Sequence, residues 1–216
     1  GQTPPVAPDP ERGVAAGEIS REEALARLAG TPGPVELPEE AVSEIFLDNL
    51  KTGTPWILKQ VNIRLLEDYA AREDGPVLHI ATHLSNLVKV SDRVTVRHSA
   101  GNALLALAPR LTVDQRNEVS VELSRGLELG QQEFAKYIPD YLGRFALWLP
   151  PEQLEELLAD LSQTLNAASG RMAASALDTV GVIYEEYDTY RTRFPEEPEA
   201  YRSRRERLLG MLMKRL

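Results

Sequence analysis

A short apolar signature recurs along the chain at a nearly constant interval. Leu84-Ser85-Asn86-Leu87-Val88, Leu123-Ser124-Arg125-Gly126-Leu127 and Leu161-Ser162-Gln163-Thr164-Leu165 begin 39 and then 38 residues apart. Ile80, Val119 and Leu157 keep the same register upstream. The residues at the helix starts repeat as well: Leu111, Asp114, Gln115 and Glu118 correspond to Leu149, Glu152, Gln153 and Glu156 at an offset of 38. Amphipathic helices in general share apolar spacing, but they do not share register, start residues and interval together. A period of this length marks a unit of two antiparallel helices, which cannot bury its apolar faces alone and stacks on its neighbours.

The local signals place those helices. Ser20 with Glu23 makes a capping box ahead of EEALARLAG, which Gly30 and Pro32 end. Val42, Ile45, Phe46 and Leu50 form one helical face, broken by Gly53 and Pro55 before the stripe Ile57, Val61, Leu65 and Leu66. The spacing predicts helix pairs 39–51 with 55–71, 77–89 with 93–108, 113–128 with 131–148, and 151–165 with 170–187, followed by an unpaired helix over 200–216. No two alternating strands joined by a hairpin turn can be found. Four prolines in the first ten residues (Pro4, Pro5, Pro8 and Pro10) make 1–18 a disordered Pro-rich tail or linker, which leaves 19–216 as a single helical-repeat domain. The expected fold is all-α, a right-handed α-α superhelix: a solenoid of about four helix pairs plus terminal helices.

One segment carries a family likeness. Asp92-Arg93-Val94-Thr95-Val96-Arg97-His98-Ser99-Ala100, continuing GNALLALAP, resembles the second helix of a HEAT repeat, with an Asp in the turn, a Val-Arg pair, and then small and large apolar residues three and four apart. Arg171-Met172-Ala173-Ala174-Ser175-Ala176-Leu177, continuing DTVGVI, is similar and lies two periods on. Residues 131–148 depart from the pattern, with Ala135 where Arg97 sits and Pro139 inside the helix. The resemblance, to the HEAT-like, armadillo-type helical-repeat family, implies that second helices line a concave surface and contact one protein partner at several points. Carried over position by position, it makes Lys59, Asn62, His98, Asn102, Asp140, Arg144, Ser175 and Asp178 the candidate partner-binding residues.

Other chemistry is sparse. With no cysteine among 216 residues, a disulfide scaffold, a thiol nucleophile and thiolate zinc sites are excluded. His79 and His83 stand four apart, and His98 begins the next helix, so a metal-binding or catalytic site on these three histidines is the alternative to a scaffold. Adjacent carboxylates such as Glu155 with Glu156 normally face solvent, and there is no GxSxG elbow, Walker loop or GxGxxG. The reading is therefore non-enzymatic and without cofactor. A net charge of −9 opposes nucleic-acid binding, although a local basic concave patch with Lys59, Arg64, Arg97, Arg144 and Arg171 is the third reading.

Charge is uneven: residues 188–216 carry eight Lys or Arg against five Asp or Glu, so this stretch is +3 and the rest −12. The basic amphipathic helix over 200–216 can close the array with its apolar face inward, dock on a partner, or touch an anionic membrane surface. Tyr184, Tyr187, Tyr190, Phe194 and Tyr201 read as packing against that last helix. No window is apolar enough to span a membrane. A cytoplasmic location fits the absent cysteine, while the Pro-rich start leaves an extracytoplasmic one open. The apolar end at Leu209, Met211, Leu212 and Met213 suggests a piece of a longer polypeptide, whose neighbouring domains are then candidate partners.

Overall fold

The structure, a computed structural model, describes residues 37–128, 137–167 and 170–214. The expected tail 1–18, the helix at 20–30 and the start of the helix predicted over 131–148 lie outside the described residues. All regular elements among the described residues are helical: α1 (Glu39–Leu50), α2 (Trp56–Ala70), α3 (Val77–Val90), α4 (Val94–Leu107), α5 (Val113–Arg125), α6 (Tyr137–Ala146), α7 (Pro151–Ala167), α8 (Arg171–Glu186), the short α9 (Tyr190–Arg193) and α10 (Pro198–Met213). No helix among them is long and apolar enough to cross a membrane.

Proline sets many of the boundaries. Pro38, Pro55 and Pro76 immediately precede α1, α2 and α3, while Pro151 and Pro198 open α7 and α10. Its missing N–H is harmless at a helix start, where that donor has no intrahelical acceptor. At α5 a capping box does the same work: the Gln115 N–H donates to Thr112 Oγ1 at 3.2 Å, and the Thr112 N–H donates to Gln115 Oε1 at 3.0 Å.

The predicted partners pack together: α1 on α2, α3 on α4, α5 on α6, and α7 on α8. Second members also touch in succession, α2 with α4, α4 with α6 and α6 with α8, and the unpaired α10 packs on α8. The positions that recur in the sequence are those the core uses. Ile80, Val119 and Leu157 are buried, and so are Leu84, Leu123 and Leu161. Where second helices meet, glycine lets them close up: a Cβ on Gly143 of α6 would lie 2.7 Å from Val182 of α8, and one on Gly101 of α4 would enter the Tyr141 ring.

Arginines satisfy carbonyls at helix ends, where four acceptors lack intrahelical donors and the helix dipole favours a cation. Arg97 is buried and donates to the Ser91 and Val88 carbonyls at the end of α3. After α6, Arg116 donates to Trp148 O and Arg193 to Leu147 O, each at 3.0 Å, and the Tyr190 hydroxyl donates to Leu149 O at 2.7 Å. The Trp148 ring lies between the same two guanidiniums, 3.8 Å from Arg193 and 5.7 Å from Arg116. Trp148 therefore joins α5, α6 and the α9 region.

The last helix closes against its neighbours. Tyr201 and Leu208 of α10 are buried, and Tyr187 stacks on both Tyr190 (5.5 Å) and Tyr201 (4.7 Å). Arg204, 5% exposed, donates to Glu155 Oε1 of α7 at 2.8 Å, Glu196 Oε1 at 2.7 Å and the Tyr187 hydroxyl at 2.9 Å. Although burial opposes its charge, these hydrogen bonds outweigh that cost and raise its pKa. Arg207 adds a second bond to Glu155.

Candidate functional site

Helices α4, α6 and α8 bring His98, Asp140 and Asp178 to one open cleft of about 770 Å³, which Leu212 of α10 also lines. On α8 the wall is a single helical face, since Asp178, Gly181, Val182 and Glu185 fall three, four and seven residues apart. The close approach at Gly143 seats Val182 against α6 and so fixes this wall beside Asp140. Leu177, Val182 and Leu212 supply apolar surface, and Asp140, Asp178 and Glu185 supply carboxylates.

The polar groups differ in how far they are already engaged. Arg144 donates twice to Asp140, Nη2 to Oδ2 at 2.7 Å and Nε to Oδ1 at 3.2 Å, and it lies 3.8 Å from Glu186. Its charge is thus spent within the protein. Asp178 and Glu185 make no ion pair among the described residues, and burial raises the Asp178 pKa. His98 Nδ1 is 2.7 Å from the Tyr141 hydroxyl, and its ring meets Tyr137 edge-on at 4.8 Å. The same hydroxyl is 3.4 Å from Asn102 Oδ1, and burial raises its pKa. Five of the eight sequence candidates therefore sit in or beside this cleft: His98, Asn102, Asp140, Arg144 and Asp178.

The other three are not on it as free surface. Lys59 and Asn62 are 2% and 1% exposed, and Ser175 is also buried. Lys59 reaches Asp92 at 3.7 Å, while the Asn62 amide donates to Asn49 Oδ1 at 3.1 Å. The Ser175 carbonyl accepts from the Thr179 hydroxyl at 2.8 Å, within the packed side of α8. The physical reason for Lys59 and Asn62 is that α2 is packed by α1, α3 and α4, so its polar residues point into helix contacts. Conversely, Gly181, Val182, Glu185 and Leu212 line the cleft without having been picked out from the sequence. Extending the Asp178 face along α8 by helical spacing finds the first three. Leu212 follows only from the docking of α10.

His98 stands apart from His79 and His83. His83 is buried, stacked on Phe46 of α1 at 4.0 Å, with its Nε2 3.1 Å from the Asn49 amide nitrogen. Burial, and then the neighbouring His79, lower its pKa to about 4, so the ring is neutral at pH 7. His79 also meets Phe46, in a tilted contact at 4.9 Å, whereas His98 belongs to the Tyr137 and Tyr141 contact. Among the described residues no group of three or more His, Cys, Asp or Glu is arranged to hold a metal ion. Four residues of the basic patch are buried or paired. Lys59 and Arg97 are buried, Arg64 lies 3.4 Å from Asp68, and Arg144 is held by Asp140.

No protein-family model matches the chain, and no curated protein and no solved structure is significantly similar to it.

Proposed function

We propose that the protein is a non-catalytic protein-binding scaffold or regulatory module, a right-handed solenoid of HEAT-like helix pairs whose second helices present a concave binding face. The observation that carries this reading is the cleft itself, which crosses three successive second helices and gathers His98, Asp140 and Asp178 from predicted repeat units. Stacked repeats of this kind offer extended curved surfaces rather than deep pockets. Apolar surface beside polar groups, as Leu177, Val182 and Leu212 lie with Asp140, Asp178 and Glu185, is also how protein interfaces are built. The partner is a separate protein or a neighbouring domain of a longer chain, and no cofactor takes part. A cytoplasmic setting goes with the cysteine-free composition.

The test is affinity purification of the full-length protein from its own cells, alongside two variants. Gly181→Phe fills the cleft from a position where an added Cβ meets nothing closer than Leu212 Cδ2 at 3.9 Å. The pair Asp140→Ala with Arg144→Ala removes the rim of α6. A stoichiometric partner that is lost with both variants supports the reading. A partner retained equally by all three proteins, or none at all, overturns it.

A further inference from the structure

Resting on that partner-binding reading, we propose that the occupant of the cleft is a basic segment of a partner protein. A lysine or arginine of this segment lays its aliphatic stem over Leu177, Val182 and Leu212 and places its charged head among Asp178, Glu185 and Asp140. The charge of the cleft carries the argument. Its described lining contains three carboxylates and no lysine or arginine. Arg144, whose partner Asp140 lines the cleft, is committed to that carboxylate in a two-pronged pair, and it also approaches Glu186. Among the described residues Asp178 and Glu185 have no ion-pair partner, and they flank the apolar surface of Leu177 and Val182 on the same helix.

A neutral apolar segment seated here would strip water from two carboxylates and return nothing to them. An acidic segment, or a phosphate backbone, would add like charge at close range. Only a cation on an aliphatic stem matches both the floor and the rim, because lysine and arginine bury their methylenes while keeping the head group at polar partners. Gly181 contributes the room. It lies between Asp178 and Glu185 on this face, and with no side chain it leaves a gap where the incoming residue fits. The raised pKa of Asp178 agrees with a carboxyl that lacks its counter-charge.

A random peptide display library panned against the full-length chain, and in parallel against Gly181→Phe, tests this. Cleft-dependent peptides are those enriched by the first and lost on the second. They are expected to carry Lys or Arg beside apolar residues. Synthetic copies are expected to bind the Asp178→Asn, Glu185→Gln chain at least about tenfold more weakly, with affinity falling as salt rises. This double variant keeps side-chain shape at exposed positions, so it provides the test even where Gly181→Phe unfolds. Cleft-dependent peptides that are neutral or acidic overturn the basic occupant and leave the protein-binding reading standing. Peptides whose binding neither variant weakens, or no enrichment at all, overturn both.

Discussion

Lowering the pH from 7.5 to 5 isolates one buried ring. His83 is 5% exposed and packs between Phe46 and the Asn49 amide. The polarity of that contact is set one step further away. Asn62 donates to Asn49 Oδ1, so the Asn49 amide turns its N–H toward His83 Nε2 and needs an unprotonated nitrogen there. Protonation breaks this bond and also charges a ring that has left water. Its folded pKa of about 4 lies below the ordinary 6.5. The unfolded chain therefore binds the proton first, and the stability contributed by neutral His83 is present above about pH 6.5 and is lost as pH falls toward about 4. At pH 5 the unfolded ring is charged and the folded one still neutral, which corresponds to a loss of about 2 kcal/mol, rising to about 3 kcal/mol below pH 4. Urea unfolding followed by far-ultraviolet circular dichroism at pH 7.5 and 5 measures it. His83→Gln is expected to be less stable at pH 7.5, because it loses the stacking, yet to lose about 2 kcal/mol less than the parent on acidification. Equal acid losses in the two proteins, or a ring that titrates near 6.5 by NMR, would refute the reasoning.

Two helix glycines should respond in opposite directions to the same change. Gly181→Ala meets only Leu212 at ordinary contact distance and raises stability by about 1 kcal/mol, whereas Gly143→Ala drives a methyl into Val182 and lowers it by about 1–3 kcal/mol, both read from thermal melts. Arg204→Met leaves Glu155 and Glu196 without their shared cation and should cost about 3 kcal/mol, with amide exchange accelerating over 198–213 first. The Arg207 hydrogen bond first, aided by Arg204, holds the Glu155 carboxyl below the ordinary carboxylate value of 4.5. Its contribution is therefore present above 4.5 and lost as pH falls through the lower folded value, so Glu155→Gln should flatten that part of the acid unfolding curve. Tyr141→Phe should cost about 1 kcal/mol through the lost hydroxyl contact and shift the His98 ring resonances by NMR.

The helices are legible because their punctuation is local: Gly53 and Pro55, which part α1 from α2 in the sequence, act through their own backbone, and the structure shows Pro38, Pro76, Pro151 and Pro198 doing the same. The register of Ile80, Val119 and Leu157 identified core positions for a similar reason, since a buried stripe must follow the helix period. The tyrosines before α10 were also readable as packing residues. What local pattern does not encode is which polar side chain meets which. Lys59 and Asn62 resemble surface residues until Asp92 and Asn49 are brought to them by helix packing. His98 stands near His79 and His83 in the chain, but the turn between α3 and α4 gives it different neighbours. Gly101 and Gly143 look like helix defects in sequence, and only the approach of Tyr141 and Val182 explains them. The cleft is half legible: His98, Asp140 and Asp178 come from repeat position and Gly181 from helical spacing along α8, while Leu212 depends on the final stack.

A protein-binding role requires the cleft of α4, α6 and α8 to be the face that meets a partner. The most direct measurement is photo-crosslinking in the protein's own cells, with a photoreactive amino acid placed at Asp178 in the cleft or at Glu118 on exposed α5. A discrete covalent adduct from position 178, abolished by Gly181→Phe and absent from position 118, is the predicted result. An adduct from position 118 alone, or one from 178 that survives the filled cleft, would contradict it.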